Sequence, residues 1–230
     1  MITIIVPVFN EAEIIKKNLL KIIHELKKLK KRYEIIVAED GSTDKSYEIV
    51  KKIEEENKKI KVLHHKKRLG RGLALKRCSS VAKGKFIIYM DADLSTKLDA
   101  LKIVLKELNK YDIVVGSRYI KGAKYKRTLK RLFLSKIYNL IRLILFPDVK
   151  IKDTQCGFKG FKRNVFIEIN KEVKSNDWFW DTEFLIKAKR KGFKIKEIPV
   201  VWVENKKSSI KILRDGLKMV AQLIKLRFFP

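Results

Sequence analysis

The sequence contains few cysteines and histidines, the residues that form disulfides and bind metals in small domains. Its 230 residues include two cysteines, Cys78 and Cys156, and three histidines, His24, His64 and His65. The cysteines lie far apart in the chain, and neither they nor the histidines show the spacing of metal ligands. We therefore expect no disulfide framework and no metal role for the histidines. We interpret the cysteines as buried, reduced thiols of a cytosolic chain.

Long apolar runs are also missing. No stretch reaches the ~18 uninterrupted apolar residues of a membrane-spanning helix, so we expect no transmembrane segment. The opening MITIIVPVFNEAE has no basic region before its short apolar run, which is not typical of a signal peptide. There is no internal repeat and no low-complexity linker. With 46% hydrophobic residues, the sequence predicts one globular domain over 1–230.

Acidic residues are scarce beside basic ones. The chain has 26 Asp and Glu against 55 Lys and Arg, which gives a formal net charge of +29. Such an excess favours a polyanionic partner, which is nucleic acid, an anionic membrane surface or a phosphorylated substrate. The alternative is that a lysine-rich composition makes every surface basic without any specific partner.

The first half, 1–116, alternates strand and helix patterns. The predicted strands are 2–8, 33–38, 60–64, 86–90 and 113–116. The predicted helices are 11–31, 44–58, 71–82 and 98–109. This alternation predicts an α/β fold with a mostly parallel, Rossmann-like sheet flanked by helices. Because ligands of such sheets bind beyond the carboxyl ends of the strands, PVFNE, EDGSTD and DADLS should share one edge.

The second half, 117–230, has a different texture. A basic loop, SRYIKGAKYKRTLKR, leads into an apolar segment interrupted by Lys136 and Arg142. The blocks DTQCGFKGF and DWFWDTEF follow, then a predicted strand pair over 193–203 and a predicted helix over 209–228. We interpret this half as a specialised part of the same domain.

Two carboxylates, Asp91 and Asp93, stand one residue apart directly after the predicted strand 86–90. Carboxylates beside apolar residues are costly unless they reach water or a cation. Their oxygens suit a hard divalent cation such as Mg²⁺ or Mn²⁺. Asp91-Ala92-Asp93 also resembles the DxD motif of nucleotide-sugar glycosyltransferases, which implies that the cation neutralises a departing diphosphate. The alternative is that they cap the helix that begins near Lys97.

The segments IIVPVFNE, IIVAEDGSTD and DADLS, with the loop RLGRGLA, resemble the nucleotide-sugar site of family 2 glycosyltransferases with the GT-A fold. The resemblance implies a divalent metal held chiefly by Asp93, with Asp91 nearby. It also implies that the following residues bind the nucleotide sugar: Pro7, Phe9, Asn10, Glu11, Asp40, Gly70, Asp91, Ala92 and Asp93. A carboxylate such as Asp40 can accept an N–H from a base, while Gly41 and Ser42 permit a tight turn.

The blocks GSRY, IKDTQCGFKGF, WFWDTEFLIKA and EIPVVW resemble the polyprenyl-phosphate glycosyltransferases, and most closely the dolichyl-phosphate β-glucosyltransferases. The resemblance implies inverting transfer of a hexose from UDP-glucose to dolichyl or polyprenyl monophosphate. Because dolichyl-phosphate mannose synthases share the layout, GDP-mannose is the alternative donor. Ser95 stands where mannose synthases often carry Gln, and Lys207-Ser208-Ser209 replaces the Gly-Ser-Lys of the glucosyltransferases.

A phosphate acceptor needs cations rather than a general base, because a phosphate monoester, with its second pKa of about 6, is already anionic at neutral pH. Arginine suits phosphate, so Arg118 and Arg131 are the predicted acceptor-phosphate residues, with Lys159 as a third. The predicted catalytic residues are Asp91, Asp93, Arg118 and Arg131. The alternative for the basic loop 118–131 is a solvated run of charge.

Other side chains of the second half allow two interpretations each. Asp181 and Glu183 could provide a base for a hydroxyl acceptor, but we interpret them as orienting or structural. Trp178 and Trp180 could flank a sugar or a lipid, or pack in the core.

The expected acceptor stays in a membrane, so we expect a peripheral protein at its cytoplasmic face. The apolar residues Ile210, Leu213, Leu217, Val220 and Ile224 would share one helical face, and 132–146 is similarly apolar with two cations. Basic amphipathic helices lie in the interface of anionic membranes. The alternative is that both helices pack against the domain or a partner subunit.

A nucleic-acid-binding α/β protein is the competing class of function suggested by the charge. The sequence shows no basic recognition helix, and the acidic residues along the predicted edge would repel nucleic acid. We therefore expect no nucleic-acid partner.

Overall fold

The computed structural model describes residues 1–126, 128–203 and 212–229. The strands are β1 (Ile2–Val8), β2 (Tyr33–Glu39), β3 (Ile60–Leu63), β4 (Phe86–Met90), β5 (Ile113–Ser117), β6 (Lys124–Lys126), β7 (Phe158–Lys162), β8 (Ile195–Pro199) and β9 (Val201–Val203). The helices are α1 (Ile15–Lys28), α2 (Ser46–Glu56), α3 (Arg71–Cys78), α4 (Ala100–Glu107), α5 (Leu129–Leu145), α6 (Arg163–Glu172), α7 (Trp180–Arg190) and α8 (Ile212–Phe228).

The main sheet has the strand order β3-β2-β1-β4-β7-β5-β8. Strands β3, β2, β1 and β4 run parallel, as do β5 and β8, while β7 is antiparallel to both of its neighbours. A mostly parallel sheet flanked by helices, as predicted, is therefore confirmed. The five strands predicted in the first half correspond to β1 to β5, and their bounds differ from those of the structure by at most one residue.

The second half departs from the prediction in its strands. The two strands expected over 193–203 are present as β8 and β9, but they do not pair with each other, because β8 pairs with β5 while β9 pairs with β6 in a separate two-stranded sheet. Strand β7 was not predicted at all, although it lies in the middle of the main sheet. It joins the halves, because residues from beyond 117 stand between two strands of the first half.

Strand β7 escapes pattern analysis because FKGFK carries polar and small residues where a buried strand is usually apolar. Gly160 faces Ile88 and Val114 in the register. A Cβ there would collide with the side chains of Val104 and Leu108, so glycine lets α4 pack closely on the sheet. Lys159 is fully buried and paired with an acidic partner of α7.

Apolar clusters cover both faces of the sheet. One gathers side chains of α1, α2 and α4, and the other those of α3, α5, α6, α7 and α8. Trp180 lies in the second cluster, fully buried, with its ring 5.0 Å from that of Phe184. Its indole Nε1 donates a hydrogen bond to Asn170 Oδ1 at 2.8 Å, so Trp180 packs in the core.

Both cysteines are buried and free, as expected. Burial raises the pKa of Cys78 to about 12 and that of Cys156 to about 11. Both are therefore inert thiols at neutral pH.

Helices α5 and α8 pack against each other. Their inner side is buried through Tyr138, Met219, Leu223 and Leu226. In the described part of the chain, no helix combines the length and the apolarity needed to cross a membrane.

The outer side of the two helices matches the predicted amphipathic face only in part. Leu217 and Ile224 are exposed, whereas Val220 packs towards the core. Ile210, the side chain of Leu213 and the segment Lys207-Ser208-Ser209 lie outside the described residues.

Arg142 is not the surface cation that the sequence suggested. It is buried, and its two terminal nitrogens donate hydrogen bonds to the carbonyl oxygens of Val149 and Ile151 at 2.5 and 2.6 Å. Arg142 therefore ties α5 to the segment that leads into DTQCGF.

Candidate active site

A cavity of about 490 Å³ opens beyond the carboxyl ends of β1, β2 and β4. Its far wall is formed by α5 and α8, through residues such as Ile137, Ile141 and Met219. The predicted site residues that line it are Pro7, Phe9, Glu11, Asp40, Asp91, Ala92, Asp93, Arg118 and Arg131. The fold thus brings residues that are more than a hundred positions apart into one site.

Asp40 organises a loop of the site. Its carboxylate accepts hydrogen bonds from the backbone N–H groups of Leu69 at 2.7 Å and Gly70 at 3.0 Å. Burial raises the pKa of Asp40, although these two bonds oppose the rise. Gly70 has φ +98, and a Cβ there would collide with the carbonyl oxygen of Asn176, so only glycine fits.

Arg68 is a site residue that the sequence analysis missed. Its guanidinium carbon lies 3.9 Å above the centroid of the Phe9 ring, and both side chains line the cavity. The two side chains therefore form a stacked wall beside Asp40. The signal was present in RLGRG, where only the glycine was considered.

Asn10 shapes the rim from the end of β1. It adopts a left-handed φ of 56, its backbone N–H donates to Ser42 Oγ at 3.0 Å, and its side-chain Oδ1 accepts from the N–H of Thr43 at 2.8 Å. The exposed Asn10 thus links two of the predicted motifs.

Asp91 and Asp93 are held in different ways. Asp91 donates its N–H to the Gly157 carbonyl at 3.0 Å, and its Oδ1 accepts a hydrogen bond from Arg71. Asp93 accepts from Ser95, through the backbone N–H at 2.9 Å and the hydroxyl at 2.7 Å. Helix α4 begins only at Ala100, so the alternative that either aspartate caps it is wrong.

The carboxylates of the rim repel one another. Burial, followed by the charges of Asp93, Asp91 and Asp44, raises the pKa of Glu11 to about 7. Burial also raises the pKa of Asp91, with Arg71 acting against it and Asp93 adding to it. Such a concentration of mutually destabilised carboxylates is typical of a functional site.

These carboxylates fit a divalent cation only together with ligands from elsewhere. Among the described residues there is no group of three or more His, Cys, Asp or Glu arranged to hold a metal. Mg²⁺ and similar ions are commonly bound through one or two carboxylates plus substrate phosphates. Asp93 and Asp91 at a cavity of this size satisfy that requirement.

Arg71 is a second residue that the sequence analysis missed. Its guanidinium donates to both Asp91 and the Tyr89 hydroxyl, and it lies 4.7 Å from the Trp178 ring. Its Nε is 3.9 Å from Asp181 Oδ2. Trp178 therefore lines the cavity by covering this arginine.

Lys159 does not stand where the sequence analysis placed it. Its side chain is fully buried, and its ammonium donates hydrogen bonds to Asp181 Oδ1 and to the Cys156 carbonyl. Since both contacts are internal, the ammonium of Lys159 is not presented to an acceptor phosphate.

Arg118 and Arg131 both reach the cavity but differ in burial. Arg118 is buried, and its Nε and Nη2 bind the two carboxylate oxygens of Asp153 at 2.7 and 2.8 Å. Arg131 is half-buried in the first turn of α5. The segment 118–131 is therefore not a uniformly solvated run, although Lys124 in its middle is exposed.

Asp181 and Glu183 are occupied by internal contacts. Glu183 accepts hydrogen bonds from the N–H groups of Lys174 and Ser175, both at 2.8 Å, and pairs with Lys187. Asp181 lies between Lys159 and Arg71. These contacts favour an orienting role for both carboxylates.

The chain has clear relatives. A family model described as "Glycosyl transferase family 2" matches residues 3–169. The glycosyltransferase AglD of Haloferax volcanii is 36% identical over 229 residues, which cover 97% of this chain and 36% of AglD. Dolichyl-phosphate beta-glucosyltransferase ALG5A of Trichomonas vaginalis is 35% identical over 242 residues, which cover 99% of this chain and 73% of that protein. The chain thus spans about a third of AglD.

Solved structures show the same fold. Glucosyl-3-phosphoglycerate synthase from Mycobacterium tuberculosis, in complex with UDP, has a TM-score of 0.73 at 17% identity and is matched over 100% of this chain and 81% of its own. A mannosyltransferase from Pyrobaculum calidifontis, in complex with GDP-Man and Mn²⁺, has a TM-score of 0.64 at 22% identity, over 97% of this chain and 64% of its own. The predicted GT-A fold is confirmed.

The raised pKa of Glu11 should make the stability of the metal-free protein depend on pH. Because the pKa rises from 4.5 to about 7 on folding, the folded state keeps a proton that the unfolded state releases between these values. The resulting stabilisation is present below pH 4.5 and is lost as the pH rises through about 7. At about pH 8 we expect Glu11→Gln to be more stable than wild type by ~1 kcal/mol, allowing for screening at this half-buried position.

Urea unfolding of both proteins between about pH 4 and about pH 8, in the presence of a chelator, measures this difference. Glu55→Gln, at an exposed position of α2, is the matched control and should show no such trend. A stability difference that stays constant over the whole pH range would contradict the prediction.

Proposed function

The chain belongs to glycosyl transferase family 2, and from that membership we propose that it transfers a hexose to dolichyl or polyprenyl monophosphate. The donor proposed is UDP-glucose, with GDP-mannose as the alternative. Relatives named as dolichyl-phosphate beta-glucosyltransferases, from Trichomonas vaginalis and Saccharomyces cerevisiae, support the acceptor and the sugar. A structural neighbour bound to UDP and another bound to GDP-Man support a nucleoside-diphosphate donor of either kind.

The observation that carries this proposal is the change in chemistry along one cavity. Its strand side carries Phe9, Asp40 and the aspartate pair, which suit a nucleotide and its diphosphate. Its helix side carries Arg131 and Asp215 together with apolar residues such as Ile137 and Met219. A cation next to an apolar wall is what a phosphate joined to a lipid requires.

The state of Asp181 supports the same acceptor. A hydroxyl acceptor would need a general base. Asp181, the carboxylate suggested for that role by its position in the sequence, is paired with Lys159 and lies beside Arg71. Its carboxylate is thus already engaged by cations of the interior. A phosphate acceptor needs no such base.

The chain's residues then have defined roles in an inverting displacement. Arg131 would orient the acceptor phosphate for attack on the anomeric carbon, opposite the departing diphosphate. Asp93, with Asp91 nearby, would hold Mg²⁺ or Mn²⁺, which supplies the charge that the leaving diphosphate needs. Mn²⁺ in the structure of the Pyrobaculum calidifontis mannosyltransferase supports a divalent ion here. Arg118 lines the same cavity, but Asp153 offsets its charge, so Arg131 is the main cation proposed for the acceptor.

The outer face of α5 and α8 is proposed to rest on an anionic membrane surface at its cytoplasmic side. Its exposed apolar side chains are Leu129, Phe133, Ile137, Leu140, Leu143, Ile144, Leu217, Ile224 and Phe228. Exposed cations of the same helices are Lys136, Arg214, Lys218, Lys225 and Arg227. So large an apolar surface, mixed with cations and next to the acceptor side of the cavity, suits a lipid interface.

Glycosyl transfer should require Asp93. We expect radiolabelled UDP-glucose, with polyprenyl phosphate and Mg²⁺ or Mn²⁺, to yield a lipid-linked sugar, and GDP-mannose to be used less well. Asp93→Asn should reduce turnover at least ~100-fold, because stabilisation of the leaving group is lost. Asp99→Asn, at an exposed position without a side-chain cap bond, is the matched control. Full activity in excess chelator would exclude the metal.

Capture of the acceptor should depend on Arg131. We expect Arg131→Ala to raise the KM for polyprenyl phosphate with little change in the KM for the donor, corresponding to ~1.5–3 kcal/mol for a charge-assisted bond. Lys124→Ala, in the same basic loop but exposed, is the control. A change in the donor KM alone would contradict the proposed division of the cavity. Arg118 is unsuitable for this test, because its removal leaves Asp153 unpaired in the interior.

Binding to vesicles should follow both charge and apolar contact. We expect sedimentation with liposomes that contain anionic lipid, weakened by high salt. Phe133→Ser and Ile144→Ser, at positions 65% and 69% exposed, should weaken binding, whereas Leu20→Ser, 53% exposed on α1, should not. Equal binding to neutral and anionic vesicles at low salt would show that the charge serves another purpose.

A further inference from the structure

Charges of alternating sign run from the core to the rim of the cavity. Lys159 pairs with Asp181 Oδ1, Asp181 Oδ2 lies 3.9 Å from the Nε of Arg71, and Arg71 pairs with Asp91. Asp93 stands next, two residues further along the chain. The four charges from Lys159 to Asp91 offset one another in two ion pairs.

Arg71 is held in this series from several sides. Its side chain is only 15% exposed, and the rings of Tyr89 and Trp178 lie 5.0 and 4.7 Å from its guanidinium carbon. Its Nε is buried and finds no hydrogen-bond acceptor among the described residues. A salt bridge that served stability alone would be expected to satisfy this donor. The guanidinium instead lies between the carboxylates of Asp91 and Asp181, and its Nε forms a hydrogen bond with neither.

The position matters because a guanidinium on Asp91 competes with any metal for the same oxygen. A positive charge at the rim also repels a divalent cation that approaches Asp93. The diphosphate of a nucleotide would offset that repulsion with its own negative charge.

We propose that Arg71 is a positioning residue that keeps Asp91 occupied, so that the divalent cation binds weakly to the empty site and tightly only together with a nucleoside diphosphate. The inference rests on the proposed function, because it concerns the cation assigned there to Asp93. Arg71 acts through Asp91 and not on the sugar.

The test measures free Mn²⁺ by electron paramagnetic resonance in solutions of the full chain, with Mn²⁺ alone and with Mn²⁺ plus UDP. For Arg71→Met we expect the affinity for Mn²⁺ alone to rise about 10-fold, as one unit of repelling charge is removed near the ion. The gain in affinity that UDP confers should shrink accordingly. Arg71→Lys keeps the charge and should bind Mn²⁺ alone as wild type does. The control Arg77→Met, which removes the same charge six positions along the chain, should also match wild type.

Asp91 supplies the complementary measurement. The double variant Arg71→Met/Asp91→Asn removes both charges of the pair and leaves neither unpaired, so it keeps the test valid if Arg71→Met fails to fold, as judged by thermal unfolding. Its affinity for Mn²⁺ alone should stay within about 3-fold of wild type, since the two charges cancel. Asp93→Asn should bind no Mn²⁺ in the same range.

The outcomes separate this inference from the proposed function. If folded Arg71→Met binds Mn²⁺ alone no more tightly than wild type, or if the double variant loses binding as Asp93→Asn does, the role of Arg71 is overturned while the metal site stands. If the wild-type chain binds no Mn²⁺ even with UDP, both are overturned.

Discussion

The buried ion pair between Lys159 and Asp181 is the interaction on which the middle of this molecule depends. Lys159 belongs to β7, in register with Tyr89 on one side and Val115 on the other, and its side chain is fully buried. Breaking such a pair leaves an uncompensated charge in the interior, which costs about 3–5 kcal/mol. The pair joins the centre of the sheet to the start of α7 and leaves the second oxygen of Asp181 facing Arg71. The same buried pair that stabilises the core therefore also affects the charges of the site.

The parts of the site that could be predicted are those built by strands with a simple pattern. Strands β1, β2 and β4 are apolar runs that end in polar motifs, and parallel pairing brings their ends to one edge. The cavity lining by Phe9, Asp40 and the aspartate pair follows from that geometry. The residues that line the rim can therefore be predicted from the motifs that follow each strand in the sequence.

What could not be predicted depends on charge compensation in three dimensions. A lysine in FKGFK and an arginine in a helix such as α5 are normally assigned to the surface. Lys159 is buried because Asp181 and the Cys156 carbonyl accept its hydrogen bonds. Arg142 is buried because two backbone carbonyls of the segment after α5 accept its hydrogen bonds. Arg71 belongs to the same class, since its partners Asp91 and Asp181 lie on two other segments. No spacing rule along the sequence links these residues.

The position of β7 has a consequence for the order in which the chain can fold. Strand β4 cannot pair with β5, its successor in the sequence, because β7 lies between them and is made some forty residues after β5 has been completed. In a chain that emerges from the ribosome, β4 would therefore be a temporary sheet edge. Its backbone N–H and C=O groups on that side would have no strand to pair with. Closure must wait for a long-range, antiparallel insertion, which is the slow kind of contact in folding. The strands that end in the rim motifs and the segment that carries DTQCGF are then fixed together in the same late event.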